Sequence, residues 1–65
     1  MRKYVVISEE QDNLFIEATS FDLNNLVEIN KKLYVPFFYN KEIVGIAPIE
    51  GLIGIGVLRW NIVAE

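Results

Sequence analysis

Thr19-Ser20-Phe21-Asp22-Leu23-Asn24-Asn25-Leu26-Val27-Glu28-Ile29-Asn30-Lys31-Lys32-Leu33-Tyr34 is the stretch on which the fold class turns. Thr19 followed three residues later by Asp22 has the form of a capping box, and Asp22 would sit where a helix N-terminus favours negative charge. Advanced at ~100° per residue, Leu23, Leu26, Val27, Leu33 and Tyr34 fall within an arc of roughly 120°. Asn24, Glu28, Lys31 and Lys32 occupy the opposite side, with Glu28 one turn before Lys32. Asn30 falls inside the apolar arc and needs a hydrogen-bond partner if buried. The pattern predicts one amphipathic helix of about three to four turns. Pro36 would end it by biasing Val35 away from helical dihedrals.

On either side of this stretch the chain reads as strands. Lys3 to Ser8 is rich in Val, Ile and Tyr and is apolar on both faces, as an interior strand would be. Glu9-Glu10-Gln11-Asp12-Asn13 is a polar turn, and Leu14 to Ala18 returns with Leu14, Ile16 and Ala18 inward. The two strands predict an antiparallel hairpin. Beyond the helix, Val35 to Tyr39 and Glu42 to Ala47 flank Asn40-Lys41, a two-residue turn in which Asn suits positive φ. Pro36 cannot donate to a ladder, which predicts an edge strand. Pro48-Ile49-Glu50-Gly51 forms another turn before the apolar run from Leu52 to Val63. Straight, that run would span roughly 40 Å at ~3.3 Å per residue, so a bend at Gly54 or Gly56, as a β-bulge, is expected. The order is hairpin, helix, hairpin and long C-terminal strand. It predicts an α+β domain with one helix on a small antiparallel sheet. A small all-β barrel with a short helix is the alternative.

The chain has 65 residues, 52% of them hydrophobic, and a formal net charge of −3. Residues 1–65 are read as one small domain without a second core. Cysteine and histidine are absent, so disulfides, thiolate zinc sites and the commonest transition-metal ligand are excluded. No EF-hand spacing appears, and neither a metal nor a cofactor is expected. A signal peptide is not read at Met1-Arg2-Lys3, because the apolar run stops at Ser8-Glu9-Glu10. The apolar stretch from Ile43 to Leu58 is broken by Pro48 and Glu50, so no membrane span is expected and the location is read as cytoplasmic.

Catalysis is not expected. Ser8 and Ser20 lack a histidine to activate them, and no spacing brings two of Glu17, Glu28, Glu42 and Glu50 together. Gly51, Gly54 and Gly56 follow neither the dinucleotide nor the P-loop pattern, and suit a bent strand better. An apolar chain this small cannot hide all its side chains, which points to association. Tyr34-Val35-Pro36-Phe37-Phe38-Tyr39 gathers four of the eight aromatics, and Arg59-Trp60 pairs a cation with another. Residues of this kind dominate binding hot spots, so Phe37, Phe38, Tyr39, Arg59 and Trp60 are the candidate partner-binding residues. The expectation is a protein–protein interaction domain. It would be a homodimer, or a small regulator or inhibitor of a larger protein of the kind viruses and mobile elements encode, adding a strand across the aromatic edge. The alternative is single-stranded nucleic-acid binding, with Lys31, Lys32, Lys41 and Arg59 rimming Tyr34, Phe38, Tyr39 and Trp60. The acidic balance opposes it.

Overall fold

Seven strands, most of them runs rich in β-branched or aromatic residues, organise residues 1–58, the part of the chain that the computed structural model describes. They are β1 (Arg2–Ser8), β2 (Leu14–Ala18), β3 (Ser20–Phe21), β4 (Val27–Ile29), β5 (Lys32–Tyr39), β6 (Glu42–Pro48) and β7 (Leu52–Leu58). One antiparallel sheet has the order β2-β1-β7. In the other, β5 is central, with β3 and β4 in succession along one side and β6 along the other. The domain is therefore all-β among its described residues, and the α+β expectation is corrected. The all-β alternative holds in class, without its short helix.

The helix expected from Thr19 to Tyr34 fails for a local reason. Asn30 and Lys31 have φ of 53° and 67°. Two consecutive left-handed residues stop a right-handed helix and match a type I′ turn instead. Ile29 pairs with Lys32 directly across that turn, so 27–34 is a tight hairpin. Val27 and Ile29 are β-branched, which favours the strand. The expected capping box also resolves differently. The Asp22 carboxylate accepts the Asn24 backbone N–H and the Asn25 side-chain amide, both at 2.8 Å, as an Asx turn. Asn40 and Lys41 repeat the φ values of Asn30 and Lys31, so the β5–β6 turn expected there is the same turn, ten residues on.

Thr19, the residue read as a helix cap, joins the two sheets. Its N–H and hydroxyl donate to the Phe38 carbonyl at 2.8 and 2.9 Å. Its own carbonyl accepts from Arg2 Nη1 at 3.1 Å and from the Tyr4 hydroxyl at 3.2 Å. One residue thus bonds to β5 on one side and β1 on the other. At the second crossing Gly51, at φ 75°, accepts the Glu9 N–H at 2.9 Å, which ties the β1–β2 turn to the β6–β7 turn.

The core lies between the sheets. Tyr4, Val6, Ala18, Val35, Phe37 and Ala47 are its buried hydrophobic side chains, with Leu14, Ile16, Phe21, Leu26, Ile49, Leu52 and Ile55 packed around them. Tyr4, Phe21 and Phe37 form an aromatic triad with centroids 5.3 to 5.6 Å apart; the Tyr4–Phe21 pair is edge-to-face. β6 comes close enough to β2 that a Cβ on Gly45 would meet Ile16 Cγ2 at 2.9 Å.

Pro36 was expected to mark an edge, yet β5 is the central strand of its sheet. The Pro36 carbonyl accepts the Asp22 N–H at 3.2 Å, so its backbone faces the β3–β4 side. There the partner strand is interrupted: β3 ends at Phe21 and β4 begins at Val27. The missing donor falls at the one break in that ladder, where it costs no strand pairing. The last strand does carry a bulge, but not at Gly54 or Gly56 as expected. Those two stay in register, and the shift falls between Ile7, which faces Gly54, and Ser8, which faces Leu52, leaving Ile53 as the extra residue.

Candidate interaction surface

Burial separates the expected site residues. Phe37 is 0% exposed in the aromatic triad and offers nothing to a partner. Phe38 is half-buried on the opposite face of β5, and Tyr39 is 41% exposed beside the Asn40-Lys41 turn. Arg59 and Trp60 lie outside the described residues, as does the remainder of the run expected to reach Val63. Strand addition across the aromatic segment is corrected, because β5 already has neighbours on both sides.

The outer faces of both sheets are apolar. On the β2-β1-β7 sheet, Phe15 lies opposite Val5, and Val5 opposite Gly56. Ile7 faces Gly54 on the same side, and Leu58 faces Lys3. A Cβ on Gly54 would meet nothing within 4 Å, and one on Gly56 only Val5, at 3.6 Å. This face is therefore smooth along β7 and raised along β1 and β2. Lys3 and Glu17, 4.0 Å apart, are its charged border. On the other sheet, half-buried Tyr34 pairs with Pro48 and half-buried Phe38 with exposed Ile43, while Pro36 between them, opposite Ile46, is fully buried. Val27 and Ile29 continue that face on β4.

Exposure gives these faces their weight. Twelve large hydrophobic side chains are exposed among the described residues, against six buried hydrophobic ones. Phe15 at 56% and Ile53 at 62% are the most exposed after Met1. Sequence reading missed both. Phe15 lies in the second strand of the hairpin and Ile53 in the bent C-terminal strand, and neither is singled out by the sequence reading. The available signal was the absence of any charge from Gly51 to Leu58.

An open cleft of about 340 Å³ lies where the turns at Glu9–Asn13 and Ile49–Gly51 meet β5. Glu10, Gln11, Lys32, Tyr34, Pro48 and Glu50 line it. It brings Glu10 and Glu50 to one site, a pair that sequence spacing did not foresee. Among the described residues, no three acidic side chains gather as a metal site would need. The Asp22 carboxyl is held below its ordinary 3.8 by the Asn25 side-chain amide and then by the Asn24 N–H. No described helix is long and apolar enough to cross a membrane. Comparison of the chain with protein-family models, with curated proteins and with solved structures returns no match.

Proposed function

We propose that the domain is a non-catalytic protein–protein interaction module, working as a self-associating unit or as a small regulator or inhibitor of a larger protein. The observation that carries this is the excess of exposed over buried large hydrophobic side chains. Monomeric proteins expose apolar residues singly, but contiguous apolar faces mark interaction sites. Here Phe15, Val5 and Ile7 adjoin on one outer face, and Tyr34, Phe38, Ile43 and Ile46 on the other. The lack of cysteine and histidine in the sequence supports a binding role over catalysis, and the lack of cysteine suits a reducing cytoplasm. Affinity capture from the native cell tests the reading, run in parallel with Phe15→Lys and Ile43→Lys baits. Both sites are exposed, so both variants should fold. Loss of the captured protein with one bait locates the surface, and identical capture by all three sinks the role of these faces.

A second reading rests on the alternation of β5, which sets Lys32, Tyr34 and Phe38 on one face, as a base-stacking platform would, although Pro36 between them is fully buried and adds no stacking surface. Lys32 and Tyr34 share their cleft with Glu10 and Glu50, which would repel a phosphate backbone. Titration with labelled single-stranded DNA and RNA at low salt decides it, and absence of binding there removes it.

A further inference from the structure

β7 presents an open strand edge, since among the described residues it pairs only with β1. Free edges in stable monomers carry a guard, such as a charge, a proline or a distortion. Other exposed strands here have one: Glu17 on β2, Glu28 on β4, and Glu42 and Pro48 on β6. From Gly51 to Leu58 there is no charge and no proline, and the single bulge, at Ile53, leaves Gly54 to Leu58 regular. Of the exposed hydrophobic side chains, Ile53, Val57 and Leu58 belong to this strand. A row of backbone groups without partners among the described residues, flanked by apolar side chains, calls for another strand, not for a nucleic acid or a small ligand.

We propose that the strand completing this edge is β7 of a second copy, paired antiparallel about a two-fold axis. This rests on the interaction reading above and names its partner. The choice of a second copy follows from self-complementarity. With Ile55 on the axis, Gly54 lies opposite Gly56 of the other copy and Ile53 opposite its Val57. Glycine meets glycine on the smooth outer face, and aliphatic meets aliphatic elsewhere. An isologous contact of this kind closes at two copies and leaves no further free β7. The product is a continuous six-stranded sheet with the order β2-β1-β7-β7-β1-β2. Val57, 47% exposed although it faces the same side as core-packed Ile55, gains cover from Ile53 across the axis.

Sedimentation equilibrium of the full chain up to about 500 µM tests this, because strand-edge pairing of a few apolar residues belongs in the micromolar range. Wild type is compared with Ile53→Lys, which guards the edge, and Phe15→Lys, which charges the outer face on the far strand β2. Thermal melts at low concentration verify that both variants fold. The expected result is a dimer for wild type and Phe15→Lys, with affinity weakened about tenfold or more in Ile53→Lys. Hydrogen exchange should show β7 amides becoming protected as concentration rises. Monomeric wild type throughout would overturn the pairing, and the capture experiment above would then decide the broader reading on its own. A dimer lost in Phe15→Lys, or lost equally in both variants, would also overturn it by placing the contact on the sheet face. So would a dimer whose β7 amides exchange alike at all concentrations; in those last cases the interaction reading stands and only the edge is wrong.

Discussion

Phe37 and Tyr39 lie two residues apart on β5, yet one is wholly buried and the other open beside a turn. Truncating Phe37 removes a ring from a three-ring cluster and leaves a cavity, a change worth about 3–5 kcal/mol. A core this small rarely supplies more than ~3–5 kcal/mol in all. Phe37→Ala should therefore lack a cooperative thermal transition, while Phe37→Leu keeps one at a lower midpoint. Tyr39→Ala should melt within about 0.5 kcal/mol of wild type. Asp22 makes a subtler prediction. Its carboxyl is held below its ordinary value by Asn25 and Asn24, so the folded state favours the ionised form. That contribution is fully present above the unfolded value of 3.8 and is lost as pH falls through the lower folded value. Denaturant titrations should show the gap between wild type and Asp22→Asn narrowing through that acid window. A gap that widens instead would contradict the assigned sign.

At the scale of elements, the two Asn-Lys turns set the register of β5. Each places lysine at φ 67°, where a side chain carries a steric cost that glycine lacks. Lys31→Gly and Lys41→Gly convert both to the preferred Asn-Gly form. Each should stabilise by roughly 0.5–1 kcal/mol, and the double variant should raise the thermal midpoint by several degrees. Were 27–34 helical, Lys31→Gly would destabilise instead, by about 1 kcal/mol. The substitution thus tests the hairpin directly. Far-UV circular dichroism gives the same discrimination, with a strand-type spectrum expected and no helical double minimum.

For the whole molecule, the balance of apolar surface is the governing quantity. Two thin sheets enclose few side chains and turn apolar faces outward on both sides. Covering such a surface stabilises the folded state by mass action. The thermal midpoint of wild type should accordingly rise with protein concentration, and that of Ile53→Lys should rise less over the same range. A midpoint independent of concentration for both would show that no self-association accompanies folding.

The sequence by itself determined the strand pairs with strong local signals. Tyr4 and Val6 alternate with Val5 and Ile7, which made β1 an interior strand, and Leu14 to Ala18 emerged with its bounds intact. Asn40-Lys41 was legible as a turn because apolar runs flank it on both sides. The identical pair at Asn30-Lys31 was not, because Leu23, Leu26, Val27, Leu33 and Tyr34 satisfy a helical period as well as a broken strand. That ambiguity is physical: a short apolar segment has little intrinsic preference, and pairing with β5 decides it. Of the candidate site, sequence could name aromatic residues but not their sides. Only tertiary structure put Phe37 in the core and Phe38, half-buried, on the opposite face, because the second sheet packs against the Phe37 side of β5. It likewise set the prolyl nitrogen of Pro36 against a gap between β3 and β4, and left the uncharged β7 at an edge among the described residues. Strand order depends on contacts between residues far apart in the chain, and local pattern carries no record of them.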